Sequence, residues 1–156
     1  MSELRVQFSA DLKQAMKSKD DCRVATLRLI LATLKDRDIA ARAEGNDEGI
    51  DDDQILDMLA KMVRQRRESV AIYRQAGRND LAEREAEEIA VIEEYMPKPL
   101  DEAETATAVA DALAELGASS LKDVGRVMAT LKERYPGRMD FARASALAKQ
   151  RLAGRG

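Results

Sequence analysis

An all-α fold is what this sequence predicts, and three observations carry the prediction. Apolar residues recur at intervals of three and four along the chain, with no strand pattern and no internal repeat of fixed period. The gaps between those runs carry helix punctuation, with Asp or Ser where a run begins and Gly or Pro where one ends. Hydrophobic residues make up 45% of the chain but aromatics only 3%, so the core is aliphatic, and the 35% of charged residues read as solvated helix faces.

The first helix is expected from Ser2 to about Lys17, with Val6, Leu12, Ala15 and Met16 on its inner side. Asp20 or Asp21 offers an N-cap for a second helix, whose stripe of Val24, Leu27, Leu31 and Leu34 runs on to about Ala43. It stops at Glu44-Gly45-Asn46. Asp51, Asp52 and Asp53 then open a third helix, where carboxylates suit the positive end of the helix dipole better than they suit a metal. Its inner residues are Leu56, Leu59, Val63, Val70 and Tyr73, and Gly77 fits the position just past its end. A fourth helix is expected from Asn79 to Tyr95, with Leu81, Ile89, Ile92 and Met96 inward.

These elements make residues 1–96 a helical body of about four helices. Pro97 and Pro99 cannot extend the last of them, so residues 97–100 read as a semi-rigid linker. Residues 101–156 read as a small three-helix tail domain. Asp101 caps its first helix, which carries Ala106, Val109, Leu113 and Leu116 and closes at Gly117. Ser120-Leu-Lys-Asp123 resembles a capping box for the next, with Leu121, Val124, Met128 and Leu131 inward as far as Arg134. Pro136-Gly137 turns the chain. Asp140 caps a last helix with Phe141, Ala144, Leu147, Ala148 and Leu152 on its apolar face.

Composition excludes several chemistries. There is no histidine, which removes His-based triads, His metal sites and His acid–base catalysis. Cys22 is the sole cysteine, so neither an intramolecular disulfide nor a Cys-rich zinc site can form, and as a nucleophile it would lack a His base. No catalytic residue, metal site or cofactor is expected. No run of eighteen apolar residues exists and the N-terminus has no apolar signal core, so a soluble, cytoplasmic protein without a membrane partner is expected.

Charge is distributed unevenly. The chain carries a net charge of −3, yet Ala118–Gly156 holds nine basic residues, Lys122, Arg126, Lys132, Arg134, Arg138, Arg143, Lys149, Arg151 and Arg155, against three acidic ones. Lys122 and Arg126 are four apart and share a helix face. With Lys132, Arg138, Arg143 and Lys149 they are the candidate nucleic-acid contacts, since phosphates ask for charge and donors rather than for base-reading geometry. A solvated helix face is the plainer alternative. With only Tyr135 and Phe141 aromatic, the tail fits backbone and shape recognition better than base stacking. Gly125 lies inside a helix, where glycine costs roughly 1 kcal/mol against alanine. Either a neighbouring helix crosses closely there or a ligand backbone approaches.

In the body, Arg66 falls on the apolar line through Val63 and Val70 and should pair with an acidic residue of another helix or snorkel outward. The densely acidic fourth helix, with Glu83, Glu85, Glu87, Glu88, Glu93 and Glu94, would repel nucleic acid and suits a basic protein partner.

The motifs Arg64-Gln-Arg-Arg-Glu-Ser69, Ala76-Gly-Arg-Asn-Asp-Leu81 and Glu94-Tyr-Met-Pro-Lys98 in the body, and Gly117-Ala-Ser-Ser120, Lys122-Asp-Val-Gly-Arg-Val-Met128 and Gly137-Arg138 in the tail, together resemble the GatB/YqeY family. The resemblance covers nearly the whole chain. It implies a helical body and a tail similar to the C-terminal domain of the tRNA-dependent amidotransferase B subunit, which engages tRNA. It also implies tRNA contacts for Lys122, Arg126 and Arg138, and structural or close-approach roles for Gly125, Met128 and Gly137. Met139-Asp140-Phe141 departs from the family's usual small residue and Asp-Gly or Asn-Pro at that turn. Nothing resembles the catalytic domains of that enzyme, and no phosphate-cradling glycine loop is present.

The expected function is a non-catalytic accessory protein that binds tRNA or tRNA-like RNA through its tail, near an amidotransferase or aminoacyl-tRNA synthetase. The alternatives are a protein-interaction module without RNA and, behind it, a carbon–nitrogen ligase acting in a complex with glutamine as amide donor. Neither the oligomeric state nor the identity of the tRNA is legible.

Overall fold

The computed structural model describes residues 3–154, and within that range the chain is seven α-helices and one 3-10 turn, with no strand. The expected helix start at Ser2 and the basic residue Arg155 lie outside the described residues. The chain divides into two units, Met1–Pro97 and Lys98–Gly156.

The first unit holds α1 (Glu3–Ser18), α2 (Asp21–Ala43), α3 (Asp52–Gln75) and α4 (Asn79–Glu93). The punctuation works as its chemistry requires. The Asp20 carboxylate accepts from the Arg23 amide at 3.1 Å and caps α2. Asp51 and Gln54 exchange side-chain and backbone bonds of 2.8 and 2.9 Å, a complete capping box at the start of α3. Phe8, Leu27, Ile30, Ile55, Met58, Leu59 and Ile92 are sealed from solvent, each contributing about 1.5–3 kcal/mol through burial. Phe8 meets the Tyr95 ring edge-on, with centroids 4.9 Å apart.

The inner faces shift from those expected. Val6 and Met16 are 54% and 50% exposed, and α1 instead buries Phe8 and Ala15 with Leu4 and Leu12 beside them. On α3 the core is Ile55, Met58, Leu59, Met62, Val63 and Val70, with Leu56 and Tyr73 only half-buried. On α4 it is Ala82, Ile89, Val91 and Ile92, with Leu81 and Met96 at the margin.

Between α2 and α3 the chain is held by one polar clasp. Arg5 donates to both carboxylate oxygens of Asp38 and, at 2.7 Å, to the Ile50 carbonyl. Asp38 in turn accepts from the Ile50 amide at 3.0 Å. Gly49 has φ +84°, and a Cβ there would meet the Asp38 carboxylate at 2.5 Å, so only glycine fits.

The second unit holds α5 (Glu102–Leu116), a 3-10 turn (Leu121–Asp123), α6 (Val124–Arg134) and α7 (Phe141–Ala153), packed three ways around Val109, Leu113, Val127, Leu131, Ala144, Ala148 and Leu152. Asp101 and Glu104 form a second capping box, and Asp140 caps α7 through the Arg143 amide. The Asp123 carboxylate accepts from the Ser119 and Ser120 amides at 2.9 and 3.3 Å, the acidic half of the motif expected there. The face of α6 differs from expectation. Leu121 is 55% exposed, Val124 and Met128 are half-buried, and Val127 takes the central place beside Leu131. On α5, Thr105, Ala108 and Ala112 join Val109 and Leu113, while Ala106 and Leu116 stay at the edge. The segment leading into α5 is bound into this unit: the Leu100 amide donates to the Arg138 carbonyl at 2.8 Å, and Arg138 Nε donates to the Lys98 carbonyl at 3.2 Å.

Candidate nucleic-acid interface

The tail's basic residues separate into two sets. On the α5 side they are neutralised within the unit. Arg143 pairs with Glu102 at 2.6 Å, Arg134 pairs with Glu115, and Arg126 pairs with Asp123 at 3.0 Å while reaching the Leu116 carbonyl. Amide bonds from Ser119 and Ser120, with help from Arg126, hold the Asp123 carboxyl below its usual range, so it stays charged. By contrast Lys122, Lys132 and Lys149 are exposed and make no ion pair among the described residues. Lys132 stands seven residues after Gly125 on α6 and Lys149 seven after Ala142 on α7, so each shares a side of its helix with that small residue, and Lys122 lies in the 3-10 turn that leads into α6.

Small residues accompany these lysines. Gly125, Ala129, Ala142 and Ala146 are all exposed and fall on the outward side of the same two helices. No atom comes within 4 Å of a Cβ built on Gly125. A close helix crossing within this unit therefore does not explain that glycine, and the ligand-approach alternative remains. Met128 is half-buried and packs against the tail core, below this face. Gly137 is buried with φ +72°, a left-handed conformation that lets the chain reverse between α6 and α7. Arg138 follows it, with its guanidinium 6.0 Å from the Tyr135 ring centre and tied to the Lys98 carbonyl. Lys122, Lys132 and Lys149 thus stay exposed and without an ion pair among the described residues, and the Gly125 position stays open. Arg126 is in a local i,i+3 pair with Asp123, while Arg138 and Arg143 are in contacts with Lys98 and Glu102 about forty residues away, which sequence spacing gives no means of seeing.

Within the body, Glu85, Glu88, Glu93 and Glu94 of the acidic segment meet arginines, while Glu83 and Glu87 are exposed. Arg66 donates to Glu88 at 3.1 Å and to the Met62 carbonyl, with Glu85 at 3.9 Å, which is the pairing its place on the apolar line demands. Arg67 pairs with Glu93, and Arg23 makes a two-bond contact with Glu94 at 2.6 and 2.9 Å. Burial, reinforced by Glu88, holds the Glu85 carboxyl above its usual range. A pocket of about 360 Å³ between α2 and α4 is lined by Asp21, Cys22, Ala25, Asp80, Arg84, Glu87 and Glu88. Burial pushes the Cys22 thiol up, which keeps it protonated and a poor nucleophile. Among the described residues no group of acidic or Cys side chains is arranged to hold a metal ion.

Fold and surface define a class: an all-helical chain whose second unit is a three-helix domain with a lysine-bearing surface. The chain belongs to the YqeY-like protein family, whose match runs over residues 5–152. Among curated proteins it is similar to altered inheritance of mitochondria protein 41, mitochondrial, of Eremothecium gossypii, with 41% identity over 103 residues, 65% of this chain and 54% of that protein. The same-named proteins of Lachancea thermotolerans and Saccharomyces cerevisiae share 38% and 32% identity, covering 58% and 46% of their own lengths. The chain thus spans about half the length of the curated relatives it matches. These relatives are named mitochondrial proteins, which overturns the expectation of a cytoplasmic location. That expectation leans on the lack of an apolar signal core, whereas organelle transit peptides are amphipathic and Arg-rich, so such a lack says nothing about them.

Proposed function

We propose that this protein is a non-catalytic accessory factor that binds tRNA or tRNA-like RNA on the outer α6–α7 face of its tail. The observation that carries the reading is Gly125. It is an exposed helix glycine with open space above it, in a unit where Lys122, Lys132 and Lys149 are exposed and not ion-paired among the described residues. A ribose-phosphate backbone can settle against that open position while the three ammonium groups meet its phosphates. Few aromatics and no base-stacking platform favour shape and backbone recognition. Similarity of the tail to the amidotransferase B subunit links the proposal to tRNA-dependent amidation. The ion pairs that occupy Glu85, Glu88, Glu93 and Glu94 leave the rival, capture of a basic protein by α4, with less surface to act through.

Fluorescence anisotropy of a labelled tRNA transcript against the full chain, over a salt series, tests this. The triple variant Lys122→Glu/Lys132→Glu/Lys149→Glu is expected to weaken binding at least tenfold. Gly125→Leu is expected to weaken it with helicity intact. Affinity unchanged in both variants rejects the tail as the RNA site.

A further inference from the structure

The body carries a basic surface that its net negative charge conceals. Arg28, Lys35 and Arg42 stand seven residues apart on α2, which brings them to one helix face with a drift of only about 20° per step. At about 1.5 Å per residue the row extends over roughly 21 Å. Lys13 and Lys17 are four apart on α1 and share a face of that helix. A short turn joins the two helices, and the Arg5–Asp38 bond ties the far ends together, so they lie antiparallel. That register puts Lys13 opposite the segment between Arg28 and Lys35. All five cations are exposed. None makes an ion pair among the described residues, although Arg5, Arg23, Arg66, Arg67 and Arg78 of the same unit all do. Asp38, between Lys35 and Arg42 on α2, is hydrogen-bonded by Arg5.

We infer that the outer face of the α1–α2 hairpin is a second contact for the phosphate backbone of the same RNA. The inference rests on the proposed RNA-binding function and extends it from the tail to the body. Like charges about 10 Å apart lie near the screening length of physiological salt, and the carboxylate that acts on the row from within it, Asp38 beside Arg42, is already hydrogen-bonded by Arg5 and the Ile50 amide. A polyanion with phosphates spread over two helical turns or more satisfies the whole row at once, which a single small anion cannot. A lipid surface fits less well, because membrane-bound helices press a continuous apolar face into the acyl boundary. The exposed large apolar side chains of these two helices, Val6 and Met16 on α1 and Leu29 and Ile39 on α2, stand ten residues apart on each helix, about 80° round from one another, and form no continuous stripe. Asp21, which lines the acidic pocket beside Cys22, stands seven residues before Arg28 and bounds the row at the N-terminal end of α2.

The test uses the full chain, a labelled tRNA transcript and the triple variant Lys13→Glu/Arg28→Glu/Lys35→Glu, compared with the tail triple variant. The body variant is expected to lose at least tenfold in affinity. Its log–log salt slope is expected to fall by about two to three units, at about 0.9 for each phosphate no longer neutralised. Circular dichroism checks folding, and should charge reversal disturb it, the neutral variant Lys13→Gln/Arg28→Gln/Lys35→Gln should still flatten the slope. Unchanged affinity and slope in the body variants, with binding abolished in the tail variant, overturn this inference and leave the tail reading standing. The opposite pattern overturns the tail reading alone. Failure of the unaltered chain to bind the transcript overturns both, as does body-dependent binding to phosphatidylserine vesicles with none to RNA.

Discussion

Asp38 shows how a single carboxylate couples chain geometry to pH. Its hydrogen bonds from Arg5, with that from the Ile50 amide, hold its carboxyl below the usual range. A carboxylate with a depressed folded-state pKa stabilises the fold above its unfolded value of about 3.9, and that contribution disappears as pH falls through the lower folded value. Thermal melts from pH 6 downward should therefore show steepening loss below about pH 4, and Asp38→Asn should be less stable near neutrality with a shallower acid slope. A slope unchanged by the substitution would deny the clasp its role. Gly125 gives the opposite kind of prediction. With no atom within 4 Å of a Cβ, Gly125→Ala should raise stability by about 0.5–1 kcal/mol, seen as a higher Tm. Neither result could be read from the sequence. Asp38 and Arg5 stand 33 residues apart with nothing local to pair them, and an open glycine and a packed one look alike as letters.

At the scale of the element, the helix boundaries are legible because capping is local. Asp20, Asp51, Asp101 and Asp140 all cap where a carboxylate before an apolar run should. Replacing Asp101 with Ala removes a complete capping box and should cost about 1 kcal/mol, measurable as a lower urea midpoint. Faces are harder to read than ends, and α6 shows why. Leu121 belongs to a 3-10 turn, which advances three residues per turn rather than 3.6, so an α-helical stripe extended from Leu121 through Val124 and Met128 has the wrong phase. Such a stripe misses Val127, which is sealed from solvent. On α1 the apolar residues fall all round the helix, and only packing within the body selects Phe8 and Ala15 over Val6 and Met16.

At the scale of the molecule, two hydrophobic clusters form with no residue in common. Phe8→Ala should cost about 3–5 kcal/mol and raise hydrogen exchange in α1–α4, while Leu131→Ala should cost about 2–5 kcal/mol and raise it in α5–α7. The all-helical class, the caps, the break near Pro97 and the basic bias after Ala118 follow from the sequence alone, because periodicity, local hydrogen bonding and proline's fixed φ act between near neighbours. Which cations remain available is decided only by tertiary structure. Glu102 and Glu115 on α5 neutralise Arg143 and Arg134, and Glu88 and Glu93 on α4 neutralise Arg66 and Arg67. Ion pairing is settled by distances of a few ångströms between helices distant in sequence, and a count of charges along the chain contains no such distances.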